Sequence, residues 1–156
     1  MMKKILFVDD EVDLLKVSLL RLRKTGYDVS GAADGREALD LAHQRMPDLI
    51  ILDVYLPEMN GDEVAKILKK DEKLKHVPVI LISADIETLE KRCRQCGADG
   101  YLTKPFESGA LVREVKRRFQ LSESSTSAFL AKNCGSSCVK EAASSMKASL
   151  LDVPFR

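Results

Sequence analysis

Reactive side chains follow four of the short apolar runs of this sequence, at the positions where buried strands would end. These residues are Asp9, Asp10, Asp53, Ser83 and Lys104. Carboxylates held close together repel one another and raise each other's pKa. A divalent cation would neutralise them, and oxygen ligands with room for water suit Mg²⁺. Mg²⁺ beside an ammonium group makes a site for a phosphoryl group, for which a carboxylate can be the nucleophile.

The apolar runs that precede these residues are continuous rather than alternating, which is typical of strands covered on both faces. The predicted strands cover 4–8, 27–30, 49–52, 77–82 and 100–103. Helical patterns lie between them and after the last one. The predicted helices open after Asp10, at Asp34, after Gly61 and at about Ile86, and the last places Leu111, Val115 and Phe119 on one face.

Alternation of strands and helices predicts an α/β fold, a doubly wound sheet of five parallel strands with helices on both faces. In such sheets ligands bind beyond the carboxyl ends of the strands. The topology therefore brings the three carboxylates, the serine hydroxyl and the lysine ammonium to one edge of the sheet.

Composition excludes several classes of protein. The chain has 156 residues, 25 of them basic and 24 acidic, with 45% hydrophobic residues. The apolar fraction is enough for a packed core, and the net charge of +1 argues against whole-protein electrostatic binding to nucleic acid or to an acidic membrane. No run approaches the roughly 20 apolar residues of a membrane span. We expect a cytoplasmic protein without direct nucleic-acid or membrane binding.

Four separated motifs, in this order and spacing, resemble the response-regulator receiver domain of two-component signalling, in its CheY-like stand-alone form. The motifs are FVDDE at 7–11, LIILDVYLPEMNG at 49–61, VPVILISA at 77–84 and GADGYLTKPF at 97–106. The resemblance implies a flavodoxin-like fold with strand order 2-1-3-4-5. It supports a receiver domain at 1–120, followed by a Ser-rich tail at 121–156 that is flexible or weakly helical and too short for a DNA-binding output domain.

The resemblance also implies roles for individual residues. Asp53 matches the phosphoacceptor, and Asp10 matches the direct Mg²⁺ ligand. Asp9 matches the neighbour that acts through a metal-bound water, and the backbone carbonyl of Tyr55 matches a further ligand. Lys104 matches the lysine that pairs first with the acceptor carboxylate and then with the phosphoryl oxygens.

Further roles concern switching and rate. Ser83 matches the switch hydroxyl, and Tyr101 matches the aromatic residue that turns inward when the hydroxyl moves. The peptide bond before Pro105 is cis in this family. Tyr55 and Asp85, two residues after the acceptor and after the switch hydroxyl, are expected to modulate the rate of dephosphorylation.

The implied function is that of a binding switch rather than an enzyme with an external substrate. A sensor histidine kinase or a phosphotransfer protein would supply the phosphoryl group from a phosphohistidine, with Mg²⁺ as cofactor. Phosphorylation would repack the face made by the fourth helix, the fifth strand and the last helix, to which a downstream protein binds.

Other interpretations stay open. Strand-end aspartates are often only helix caps, and Glu11 is best explained by the first helical turn. The chain could also be a degenerate or redox-modulated receiver that acts as a phosphorylation-independent interaction module. A redox or metal module would be built on the four cysteines, which are Cys93, Cys96, Cys134 and Cys138. A haloacid-type phosphatase is disfavoured, because the sequence after Asp53 is Val-Tyr and lacks the second aspartate of a D-x-D pair.

Overall fold

The computed structural model describes residues 2–123 of the chain. Five strands and five helices alternate within these residues. The strands are β1 (Lys4–Val8), β2 (Asp28–Ala32), β3 (Leu49–Asp53), β4 (Val79–Ser83) and β5 (Gly100–Thr103). The helices are α1 (Val12–Lys24), α2 (Gly35–Arg45), α3 (Gly61–Lys70), α4 (Ile86–Cys96) and α5 (Ser108–Glu123).

The five strands form one parallel sheet in the order β2-β1-β3-β4-β5. This topology confirms the predicted doubly wound α/β fold. Every residue of β3 and β4 is buried, which explains why their sequences are continuous apolar runs. The register pairs Asp53 at the end of β3 with Ile82 of β4, so the loops that follow these two strands leave the sheet side by side.

Three strands differ in their bounds from the sequence-based expectation. The strand predicted at 27–30 covers Asp28–Ala32, because the amide of Tyr27 bonds back to the Leu22 carbonyl at the end of α1. The strand predicted at 77–82 covers Val79–Ser83, and Pro78 before it has no amide hydrogen to donate. The strand predicted at 49–52 covers Leu49–Asp53. Asp53 and Ser83 are therefore the last residues of their strands rather than the first residues beyond them.

Local sequence signals set the helix ends. The Asp34 carboxylate caps α2 by accepting from the amide of Glu37 at 2.8 Å, as predicted. Helix α4 has Asp85 as its N-cap and ends at Gly97, whose φ of 77° lies in the left-handed region that glycine adopts readily. None of the helices in the described part of the chain has the length and apolar character needed to cross a membrane.

By its internal contacts the chain divides into two compact units, Met1–Ser108 and Gly109–Arg156. The first contains the sheet and helices α1 to α4. In the second, α5 buries Leu111, Val115 and Phe119, the face predicted from their spacing. Helix α5 continues to Glu123. The boundary at 120 and the character of the tail stay predictions, because 124–156 lie outside the described residues.

Candidate functional site

Three carboxylates meet at the carboxyl edge of the sheet. Asp9 directly follows β1, and Asp53 ends the neighbouring β3. Carboxylate oxygens of Asp9, Asp10 and Asp53 lie within 4.8 Å of one another. Asp9 is fully buried and Asp53 is 5% exposed, whereas Asp10 faces the solvent. The expected convergence of the strand ends is therefore present in the structure.

The lysine that follows the edge strand β5 reaches this cluster. The Lys104 ammonium lies 2.8 Å from Asp9 Oδ2, 2.9 Å from Asp53 Oδ2 and 3.7 Å from Glu11 Oε1. Its backbone amide donates to the Ser83 carbonyl at 2.8 Å, which anchors the lysine beside the end of β4. The peptide bond between Lys104 and Pro105 is cis, as the sequence resemblance implies.

The Asp53 carboxylate is in an unfavourable environment for its charge. Burial raises the pKa of Asp53 to about 6, and the Asp9 charge adds to this, although Lys104 and the Tyr55 amide oppose it. Burial also disfavours the charge on Lys104, but its pairs with Asp9 and Asp53 outweigh burial and raise the pKa of the ammonium group. One ammonium group thus compensates two buried carboxylates only in part.

The donor set fits a small divalent cation. Asp9 Oδ2 is buried and accepts no hydrogen bond of good geometry from any described residue, although the Lys104 ammonium is near. Asp10 adds an exposed carboxylate that water can reach. Carboxylate oxygens that leave room for water are what Mg²⁺ prefers. Among the described residues, Asp9, Asp10 and Asp53 are the only group of three or more potential ligands this close together.

The backbone next to Asp53 is tightly packed against the start of α3. The Gly61 amide donates to the Val54 carbonyl at 2.7 Å. A Cβ atom at Gly61 would lie 2.0 Å from the Asp53 carbonyl oxygen and 2.8 Å from its carbonyl carbon. Only glycine permits this approach, which fixes the backbone that carries Asp53.

Ser83 and Tyr101 both lie buried near the site edge. The Ser83 side chain is 1% exposed, and its Oγ accepts from the Asp85 amide at 3.0 Å. Tyr101 pairs with Leu81 across the sheet and is 8% exposed. Tyr101 is therefore buried in this structure, and its movement on phosphorylation stays a prediction.

The two rate-modulating candidates are in direct contact. The Tyr55 hydroxyl donates to Asp85 Oδ2 at 3.0 Å. Arg92 lies over the Tyr55 ring, with Cζ 5.4 Å from the ring centroid, and its Nη1 donates to Asp62 Oδ2 at 3.0 Å. Thr88 Oγ1 also donates to Asp85, at 2.6 Å. The sequence analysis missed Arg92, Thr88 and Asp62, although 85, 88 and 92 share one helix face by spacing.

The described cysteines are packed away from this site. Cys93 and Cys96 are buried, and each thiol is 3.5 Å from a backbone carbonyl oxygen. Burial raises the pKa of the Cys96 thiol, which disfavours the reactive thiolate. Cys134 and Cys138 lie outside the described residues.

Comparison with known proteins shows the family to which the chain belongs. The model of the response regulator receiver domain family matches residues 5–116. The alkaline phosphatase synthesis transcriptional regulatory protein PhoP of Bacillus subtilis is 41% identical over 130 residues, covering 81% of this chain and 53% of PhoP. The polar-differentiation response regulator DivK of Brucella ovis is 38% identical over 117 residues, covering 74% of this chain and 95% of DivK. The chain thus spans about half of PhoP and nearly all of DivK.

Solved structures have the same fold. The chemotaxis response regulator CheY4 of Vibrio cholerae superposes with a TM-score of 0.71 at 34% identity, covering 75% of this chain and 98% of CheY4. A CheY-like receiver domain protein of Methanospirillum hungatei gives 0.74 at 27% identity, covering 80% of this chain and 99% of that protein. The strand order, the acidic cluster with its lysine and these matches together lead to one conclusion: the chain belongs to the response regulator receiver domain family of two-component signalling.

Proposed function

We propose that this receiver takes a phosphoryl group onto Asp53 from the phosphohistidine of a sensor histidine kinase or of a phosphotransfer protein. One observation carries the proposal. The Lys104 ammonium lies 2.8 Å and 2.9 Å from the Asp9 and Asp53 carboxylates, and Asp10 completes the acidic cluster. This arrangement offers a nucleophile, a fixed positive charge and a cation site at one place.

The chain's own residues have defined tasks in the transfer. A carboxylate oxygen of Asp53 attacks phosphorus in line with the leaving imidazole. The new P–O bond forms as the P–N bond breaks, and the imidazole leaves with a proton. Lys104, already 2.9 Å from Asp53 Oδ2, stabilises the charge on the transferred oxygens. The Tyr55 amide, 3.3 Å from Asp53 Oδ1, helps to orient the acceptor.

We propose Mg²⁺ as the cofactor. Asp10, Asp53 and the Tyr55 carbonyl would be protein ligands, and Asp9 would act through a metal-bound water. The crowding of Asp9, Asp10 and Asp53 supports this assignment, because their carboxylate oxygens lie within 4.8 Å of one another beside a single ammonium group. When bound, the ion neutralises the crowded carboxylates and the phosphoryl oxygens.

As the sequence resemblance implies, the proposed output is binding of a downstream protein through α4, β5 and α5. Ser83 and Tyr101 are the proposed switch residues. The proposal is supported by the burial of Ser83 at the end of β4 and of Tyr101 in β5. The Ser83 hydroxyl would leave the Asp85 amide to bond the phosphoryl group, which shifts the population of two packings. Hydrolysis of the acyl phosphate resets the switch, without turnover of an external substrate. The cytoplasmic location stays a prediction.

A phosphorylation-independent or redox-modulated role is less well supported. The acidic cluster is complete and paired with Lys104, so the site carries no sign of degeneration. The described thiols of Cys93 and Cys96 are buried, unlike reactive cysteines, which lie in partly exposed positions.

The experiment is intact-mass measurement after incubation with two small donors, acetyl phosphate and phosphoramidate. Phosphoramidate has the P–N bond of a phosphohistidine. We expect one phosphoryl adduct that requires Mg²⁺, disappears with EDTA and is absent in Asp53→Asn. Absence of an adduct with both donors in the presence of Mg²⁺ would overturn the proposal, as would an undiminished adduct in Asp53→Asn.

A further inference from the structure

A side-chain bridge crosses the gap between the loops that follow β3 and β4. Tyr55 lies two residues after Asp53, and Asp85 lies two residues after Ser83. The two strands are neighbours, with Asp53 paired to Ile82. The hydrogen bond from the Tyr55 hydroxyl to Asp85 Oδ2, at 3.0 Å, therefore joins the acceptor loop to the serine loop.

Arg92 of α4 holds the aromatic half of this bridge. Its guanidinium carbon lies 5.4 Å from the centroid of the Tyr55 ring, a cation–π distance. Nη1 donates to Asp62 Oδ2 of α3 at 3.0 Å, and the side chains of Arg92 and Asp62 are 28% and 15% exposed. A partly buried ion pair fixes the guanidinium more firmly than a surface pair would. The Tyr55 ring, itself 47% exposed, gains a rigid support from Arg92.

The other half of the bridge is fixed from the start of α4. Asp85 accepts from Thr88 Oγ1 at 2.6 Å and from the Thr88 amide at 3.4 Å. These bonds and the Tyr55 hydroxyl lower the pKa of Asp85 below its ordinary value. The Asp85 amide in turn donates to Ser83 Oγ at 3.0 Å. One network of contacts thus connects α3 and α4 with Tyr55 and Ser83.

We propose that Arg92 is a positioning residue for the lifetime of the phosphorylated state: it holds the Tyr55–Asp85 bridge across the gap between the β3 and β4 loops and thereby slows the approach of water. The inference rests on the proposed phosphorylation of Asp53. In hydrolysis a water oxygen bonds to phosphorus, the P–O bond to Asp53 breaks, and inorganic phosphate leaves with the carboxylate restored. Since Arg92 belongs to α4, a change in α4 also changes the lifetime.

A merely structural role for Arg92 makes different predictions. If the pair with Asp62 only joined α3 to α4, removal of Arg92 would lower stability but leave the decay rate unchanged. Arg94 is the matched control, because it lies on the same helix, pairs with Glu90 at 2.6 Å and has a 65% exposed side chain. It has no described contact with Tyr55 or Asp85.

The decay experiment uses the full chain. The protein is phosphorylated with acetyl phosphate and Mg²⁺, the donor is removed by desalting, and intact mass is followed over time. We expect Arg92→Ala to speed the loss of the adduct about two- to fivefold, which is the loss of a cation–π contact expressed as a rate. Arg92→Lys restores most of the lifetime, and Arg94→Ala decays as the wild type does.

A double variant tests whether Arg92 acts through Tyr55. Tyr55→Ala should decay at least as fast as Arg92→Ala, and the double variant should decay no faster than Tyr55→Ala, because both changes open one bridge. Tyrosine ring NMR of the unphosphorylated protein gives a readout that does not need the adduct. The chain has three tyrosines, and the Tyr55 signal is assigned by its loss in Tyr55→Ala. Arg92→Ala should move this signal, and Arg94→Ala should leave it in place.

The outcomes separate the two proposals. No adduct on the wild-type chain with either small donor removes the proposed function and the inference with it. An adduct whose decay in Arg92→Ala equals that of the wild type overturns the inference alone. An unmoved Tyr55 signal in Arg92→Ala, or multiplicative rates in the double variant, also overturns it.

Discussion

Replacement of Asp53 by Asn should stabilise the metal-free protein at neutral pH. The Asp53 side chain is buried, and burial together with the Asp9 charge raises its pKa from 3.8 to about 6 against the opposing effect of Lys104. The difference of about 2 pH units corresponds to a cost of about 3 kcal/mol for carrying the ionised carboxylate in the folded state. Asparagine has a similar shape and does not carry this cost.

The pH dependence follows from the direction of the shift. Between pH 4 and pH 6 the folded protein binds a proton on Asp53 that the unfolded chain has released. The free energy of unfolding of the wild type therefore falls as pH rises through this window, and the full penalty is present above about pH 6. The advantage of Asp53→Asn should be small at pH 4 and should approach about 3 kcal/mol at pH 7.5.

Urea unfolding in EDTA at pH 4.5, 6.0 and 7.5 measures this effect, since the midpoint shifts in proportion to stability at a constant slope. Asp10→Asn is the matched control, because Asp10 belongs to the same cluster but is exposed. A variant Asp53→Asn that is less stable than the wild type at pH 7.5, or whose advantage does not change with pH, would refute the reasoning. Added Mg²⁺ should stabilise the wild type and narrow the gap.

Four further substitutions test local features of the structure. Gly61→Ala places Cβ 2.0 Å from the Asp53 carbonyl oxygen and should cost about 3 kcal/mol in urea unfolding, with slower adduct formation. Gly26→Ala, at φ 96° in open space, should cost only about 1–2 kcal/mol and leave adduct formation unchanged. Bonds to the Leu39 carbonyl and to Asp71 raise the pKa of His43, so their contribution is complete below pH 6.5 and is lost as pH rises through the folded-state value. The melting temperature of the wild type should therefore fall between pH 6 and pH 8, and His43→Gln should remove this fall. A variant that shows the same fall would contradict the prediction. Glu58, at φ 65°, should gain about 0.5–1 kcal/mol as Glu58→Asn, and a lower melting temperature would contradict this.

The sequence alone predicted the sheet and the convergence of its chemical groups. This was possible because four of the five predicted strands are followed by a polar residue, and parallel strands place all their carboxyl ends at one edge. The positions of Asp9, Asp53 and Lys104 follow from that rule without any knowledge of side-chain packing. The distances between these side chains do not follow from the rule, because they depend on packing. The pKa of Asp53 does not follow from it either, because it depends on how completely the surrounding chain excludes water.

The strand ends were predicted less well, for local reasons. The amide of Tyr27 completes the end of α1, which delays β2 by one residue relative to the pattern. Pro78 is apolar and fits a strand by hydropathy, but it lacks the amide hydrogen of a regular ladder. Hydrophobic patterns locate the buried segments, whereas the backbone hydrogen bonds determine their first and last residues.

The support for Tyr55 illustrates what the sequence does not contain. Asp62 and Arg92 are 30 positions apart, on helices whose relative packing no pattern in either segment specifies. Asp85, Thr88 and Arg92 share a helix face, yet this spacing is equally typical of a solvated surface. Only the folded structure shows that the face meets the loop after the acceptor.

The electrostatic cost at the site is also the source of its proposed chemistry. A fully compensated Asp53, with two cations beside it, would have an ordinary or lowered pKa and would be a poorer nucleophile and a weaker attractor of Mg²⁺. With Lys104 shared between Asp9 and Asp53, the cluster keeps a negative charge that one ammonium group does not compensate. The fold therefore gives up stability for a site that a cation would neutralise. Under the proposed function, a bound cation and Lys104 together would also offset the charge that a phosphoryl group adds, and new bonds to the phosphoryl oxygens would bias the packing around Ser83.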